Sequence, residues 1–142
     1  MTDSINRDDF IVKIRFIAWI AYSIASGQQY NEKITKDQYD SLLDAVKFSL
    51  ANPNNTPELN HENWMRMKIS QGWKYGLIKD LNLKTHPDLV PYDELPLIEK
   101  RKDLMDKIIN KVALELYSEL FEKSALEKLK DLDRKLTVLN KK

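Results

Sequence analysis

Two glycines and three prolines fall between Gly72 and Pro96, with charged, periodic sequence on either side. Gly and Pro punctuate a chain more strongly than any other residues, so this span must be irregular, whereas its flanks carry helical signals. The predicted fold class is therefore mainly α: a helical core with a loop or short β-hairpin around residues 74 to 90, flanked by N- and C-terminal helices.

Residues 8 to 26 place Phe10, Ile14, Ile17, Ala21 and Ile24 at three- and four-residue steps, with Ile11, Ala18 and Ala25 alongside. That is a wide apolar helical face, closed by Gly27. Thr35-Lys36-Asp37-Gln38 reads as a capping box ahead of a helix with Tyr39, Leu42, Leu43, Val46 and Leu50 as its buried stripe. Asn52 to Thr56, with Pro53 inside, ends that helix. Thr56-Pro57 starts a third, which runs through Trp64 to about Gln71. From Leu97 an amphipathic helix carries Leu104, Ile108 and Leu116 to Leu120. Ser124-Ala125-Leu126-Glu127 forms a second capping box at which it breaks and restarts. Leu126, Leu129, Leu132, Leu136 and Leu139 then follow as either a packing face or a short coiled-coil seam.

The most apolar run, Phe16 to Ala25, is about ten residues, short of the roughly 20 needed to cross a bilayer. The N-terminus is polar and acidic rather than a basic leader, so no signal peptide and no membrane partner are expected, and a cytoplasmic location is. Lys and Arg number 23 against 22 Asp and Glu, a balance that disfavours nucleic acid as a partner and requires any electrostatic binding to be local. The absence of cysteine excludes disulfides, thiolate metal sites and a Cys nucleophile.

Catalysis finds little support. His61-Glu62 begins a zinc-protease helix motif, but position 65 is Met65 where the second histidine would stand. A zinc site would have to be assembled from His61, His86 and a carboxylate, and no phosphate-binding glycine fingerprint is present. No cofactor or metal is expected.

The span His61 to Leu95 gathers two Trp, two Tyr and two His among five Lys or Arg, a composition suited to a flat, anionic ligand. Trp73 and Tyr75 flank Lys74 on a Gly-bounded loop. Trp64, Arg66 and Lys68 lie on the preceding helix, where 64 and 68 share a face. An aromatic plane stacks on a nucleobase while Arg or Lys bonds phosphate. The bland alternative makes Trp64 and Trp73 core residues whose indole N–H finds a carbonyl, and His86 a loop-fixing ring.

The elements H-E-N-W at 61 to 64, G-W-K-Y-G at 72 to 76, T-H-P at 85 to 87 and L-V-P-Y-D-E-L-P at 89 to 96, with Glu99-Lys100 and Asp103 after them, resemble the RyR domain, the ryanodine receptor repeat. The resemblance covers residues 57 to about 115, leaving 1-56 as an N-terminal helical extension and 116-142 as a C-terminal amphipathic helix. It implies a small helical, ligand-binding, non-catalytic module of the single-copy type found in bacteria and bacteriophages. In the paired repeats of the calcium-release channel the cleft takes an adenine nucleotide, with the Trp of G-W-x-Y-G as stacking wall. By motif that residue is Trp73, and Tyr75, Trp64 and His86 hold matching positions. The expected ligand-binding set is Trp73, Trp64, Tyr75, His86, Arg66, Lys68, Lys74 and Tyr92. The expected role is to sense or sequester an adenine-containing signal in phage–host conflict. With one repeat rather than two, the cleft must be completed by self-association, as a homodimer or higher homo-oligomer, or by the flanking helices. The competing expectation is a structural, protein-interaction module that oligomerises through its helical flanks.

Overall fold

The computed structural model describes residues 5–123 and 125–140. The element order is α1 (Arg7–Ala25), α2 (Lys36–Ala51), α3 (Pro57–Ser70), β1 (Lys74–Tyr75), β2 (Thr85–His86), a 3-10 turn (Tyr92–Glu94), α4 (Leu97–Tyr117), a π-helical turn (Ser118–Glu122) and α5 (Ala125–Asn140). The architecture is mainly α with one small strand pair, as the sequence predicts.

Local chemistry sets the helix starts. Asn6 caps α1 by accepting the Asp9 N–H at 3.0 Å. Thr35 and Gln38 close the full reciprocal box on α2, their side chains each accepting the other's backbone N–H, at 3.1 and 3.0 Å. Thr56 accepts the Leu59 N–H with Pro57 first in α3. These bonds satisfy donors that the first turn of any helix leaves orphaned. The capping box at Ser124 lies outside the described residues.

The innermost side chains are Ile11 and Val12 of α1, Val46 of α2 and Ala113 of α4, ringed by Phe10, Ile14, Leu42, Leu43 and Leu114. α1 thus packs on both α2 and α4, and α3 leans on α2 and α4 from the far side. The buried side of α1 matches the expected one at its start, where Ile11 is buried and Phe10 and Ile14 pack on the core, and departs from it farther along. Ile17 and Ile24 face out, at 62% and 58% exposed, while Val12, Arg15 and Phe16 face in. A helix apolar on nearly every side does not declare its inward face by periodicity alone. The face here follows Arg15, whose guanidinium reaches Asp106 at 3.2 Å and Asn110 at 2.9 Å on α4. A second aromatic cluster, Phe10 with Tyr117 and Phe121, closes the other end of the α1–α4 contact.

The strands pair in parallel, Lys74 with Thr85 and Tyr75 with His86, and an antiparallel bridge joins Asp80 to Thr85. Residues 76–84 between them therefore fold back as a compact loop instead of a two-residue hairpin turn. Gly76 is required at the crossing, because a Cβ there would meet the Thr85 Cβ at 2.7 Å. α5 carries Leu129, Leu132, Leu136 and Leu139 exposed to solvent. Among the described residues no helix is long and apolar enough to cross a membrane.

Candidate ligand-binding cleft

The loop after α3 is pinned at several points. Lys84 spans it, donating to the Gln71 carbonyl at 2.8 Å and pairing with Asp37 of α2 at 3.1 Å. The Asp80 carboxylate accepts the Asn82 and Leu83 N–H groups, and the Thr85 hydroxyl donates to the Ile78 carbonyl. Held this way, the loop turns Lys79 and Leu81 inward beside Trp73 and His86. Below it, His61 Nε2 sits 2.7 Å from the Val90 carbonyl, tying the segment before the 3-10 turn to α3.

Two adjoining cavities open between these pieces. The larger, about 110 Å³, is walled by Trp19 of α1, Lys68 of α3, Trp73, Lys79 and His86 of the loop, and Lys102 of α4. The smaller, about 70 Å³, lies toward His61, Asp88, Glu99 and Asp103. Trp64, Arg15 and Lys102 border both. Each holds several water-sized groups, and together they form one cleft.

The larger cavity is a concentration of donors. Lys68 Nζ lies 5.2 Å over the Trp73 ring, Lys79 Nζ 5.0 Å over Trp19, and Lys102 Nζ 5.1 Å over Tyr22. None of the three has a carboxylate within ion-pair distance among the described residues. Burial, then repulsion from Lys79 and Lys102, pushes the Lys68 ammonium down to about 8. Burial, then Lys102, does the same to Lys79. Trp73 is 8% exposed and its indole Nε1 is buried without an acceptor, the reverse of the expectation for a purely structural tryptophan. The His86 Nδ1 accepts the Asp88 N–H at 3.0 Å, which places the ring proton on Nε2. Burial, then Lys79, Lys102 and Lys68, holds its pKa down to about 3, so the ring is neutral at physiological pH.

The smaller cavity has the opposite character. Burial, then its hydrogen bond with Glu99, raises Asp88 to about 7. Glu99 is pushed up by burial but held below its ordinary value by Tyr22, whose hydroxyl donates to it at 2.6 Å, by Asp88, Lys102 and Gln28. Burial, then Asp106, raises Asp103 to about 7, and one of its carboxylate oxygens is buried without a donor. The cleft is thus basic and aromatic at one end and proton-holding at the other. Such a space suits a ligand with an anionic group, a flat ring and donors of its own.

Of the residues singled out from the sequence, Trp64, Lys68, Trp73 and His86 come together in this cleft. Trp64 and Trp73 each meet the His86 ring edge-on, at 5.0 and 6.1 Å. The other four stand apart. Lys74 and Tyr75 lie on the exposed strand β1, Tyr75 at 53% exposure. Arg66 faces solvent beside Asn63. Tyr92 packs edge-on to His61 at 6.2 Å under Lys100. Sequence reading missed Arg15, Trp19, Lys79 and Lys102. Only Trp19 left a signal, a large amphipathic ring set within an aliphatic run. Among the described residues no group of three His, Cys, Asp or Glu could hold a metal ion.

A family model, the RyR domain, matches residues 46–118, from within α2 to the start of the π-helical turn.

Proposed function

Because the chain belongs to the RyR-domain family, we propose that it is a non-enzymatic module binding a nucleotide or nucleotide-derived small molecule in the cleft between α1, α3, α4 and the Trp73 loop. The observation that carries this reading is the convergence of Lys68, Lys79 and Lys102, none of which has a carboxylate within ion-pair distance among the described residues, on a cavity walled by Trp19, Trp73 and His86. Cations brought together in a half-buried space repel one another and lose hydration, a cost that an anionic ligand offsets. Phosphate oxygens supply acceptors to the three ammonium groups, and a base stacked on an indole contributes about 1–3 kcal/mol. In this reading the protein senses or sequesters an adenine-containing signal in the cytoplasm of a bacterium or a phage-infected cell.

The test is thermal unfolding against mono-, di- and triphosphate, cyclic and dinucleotide ligands. A ligand at about 100 times its dissociation constant adds roughly 2.7 kcal/mol and raises the midpoint by several degrees. A flat response across the panel, with the protein folded, rules the reading out.

One observation favours a second role alongside the first. In α5, Leu129, Leu132, Leu136 and Leu139 fall at successive a and d positions and are exposed. A parallel pair of such helices sets Lys128 opposite Asp133 of the partner subunit, whereas an antiparallel pair opposes like charges. Light scattering should then show a homodimer that Leu132→Lys with Leu136→Lys reduces to monomer without loss of ligand response. A wild-type monomer at high concentration would dismiss it.

A further inference from the structure

The family segment begins at residue 46, yet one wall of the cleft comes from well before it. Arg15, Phe16 and Trp19 of α1 line the same cavity as Lys68, Trp73 and Lys79. The cavity contains two aromatic–cation pairs of matching design: Lys79 Nζ 5.0 Å over Trp19 and Lys68 Nζ 5.2 Å over Trp73. The two pairs differ in origin: Lys68 and Trp73 meet at the C-terminal turn of α3, where the Trp73 N–H bonds to the Lys68 carbonyl at 3.0 Å, whereas Lys79 and Trp19 come together across the fold, from the loop and from α1. Trp19 is held by Phe16, stacked on it at 5.6 Å and 20°. α1 is in turn fixed against α4 by the buried Arg15 through Asp106 and Asn110. The wall is therefore set before any ligand arrives, which lowers the ordering cost of binding.

We propose that Trp19 is the second aromatic wall of the binding site, so that one chain builds a complete site in cis, with α1 in place of a second repeat. This rests on the nucleotide reading and extends it to a residue outside the family segment. In the free protein the Lys68 and Lys79 ammonium groups sit over the indole faces as placeholders. A ligand ring takes up the space between α1 and the Trp73 loop, and the two ammonium groups move onto its phosphates, trading a cation–π contact for a charge-assisted hydrogen bond.

The experiment is calorimetric titration of the full chain with ADP and with inorganic pyrophosphate, the same diphosphate with and without a nucleoside. Wild type should bind ADP one per chain and more tightly than pyrophosphate. Trp19→Ala should weaken ADP about tenfold or more, as loss of one base–aromatic stack does, and leave pyrophosphate affinity unchanged. Trp19→Leu, which keeps apolar volume without a flat ring, should behave like the alanine variant, and Trp19→Phe should restore much of the affinity. ADP affinity untouched by both Trp19→Ala and Trp19→Leu, or an equal fall for both probes, overturns the wall while leaving the nucleotide reading standing. Wild-type protein that binds neither probe overturns the wall as a nucleoside diphosphate site, while the nucleotide reading itself falls only if the whole ligand panel is flat.

Discussion

Lys68→Met should make the free protein more stable and ligand-blind at once. The Lys68 ammonium is held at about 8 against an ordinary 10.5, first by burial and then by Lys79 and Lys102. At about 1.4 kcal/mol per tenfold change in proton affinity, keeping that ammonium charged at neutral pH costs the fold roughly 3 kcal/mol at most. Methionine fills similar volume without the charge, but forfeits the contact over Trp73, about 0.5–2 kcal/mol. The larger effect wins, and a net gain of about 1–2 kcal/mol remains. The sign is checked by pH. A lysine lowered in the folded state binds fewer protons there than in the unfolded chain between about 8 and 10.5, so wild type regains stability as pH climbs through that window. By about pH 9.5 less than half of the penalty is left and the advantage of Lys68→Met narrows. Urea unfolding followed by circular dichroism at about pH 7 and pH 9.5, with ADP titration alongside, measures all of this. A Lys68→Met protein less stable than wild type at pH 7, or one whose advantage is the same at both pH values, would refute the reasoning.

Three further outcomes follow from the same contacts. Stability of the free protein should dip between about pH 7 and 8: Asp88 and Asp103, raised to about 7, withdraw stability as pH rises from about 4, and Lys68 and Lys79 return it above about 8. His86, lowered to about 3, works the other way below 6.5 but is one group against two, so unfolding midpoints across pH 5 to 10 should trace a shallow minimum. Gly76→Ala should cost about 1–3 kcal/mol in urea unfolding, because the new Cβ meets Thr85 at 2.7 Å and must part the β1–β2 crossing. Arg15→Ala should cost about 2–3 kcal/mol rather than the full 3–5 of a buried pair, since Asp106 retains 25% side-chain exposure while Asn110 is buried. A loss under about 1 kcal/mol would mean that water replaces the guanidinium.

Legibility in the sequence followed the range of the interaction. Thr35 with Gln38, and Thr56 with Pro57, announce helix starts because capping acts over three or four residues. Trp64 and Lys68 were readable as one face for the same reason. Trp73 and His86 were reached through motif resemblance, which encodes long-range geometry that spacing does not. Lys79 and Lys102 left no local trace, because their meeting with Trp19 and Tyr22 depends on a loop folded back by Asp80, Lys84 and Thr85 and on the docking of α4. The inward face of α1 was hidden by its own apolarity, and a parallel strand pair two residues long has no periodicity to detect.

Arg15 and Asn110 are 95 residues apart in the chain, and Tyr117 reaches the Ile5 carbonyl across a longer gap still. During synthesis at about 5–20 residues per second, α1 leaves the ribosome roughly 5–20 s before α4 exists to receive it. For that interval Phe16, Trp19 and the isoleucines around them lack the α4 side of their packing, and Arg15 has no carboxylate on α4. Nascent chains should therefore remain protease-sensitive and chaperone-dependent until α4 clears the exit tunnel. The binding cleft then assembles in a single late step, since α1, which supplies Trp19, is made well before α4, which supplies Lys102.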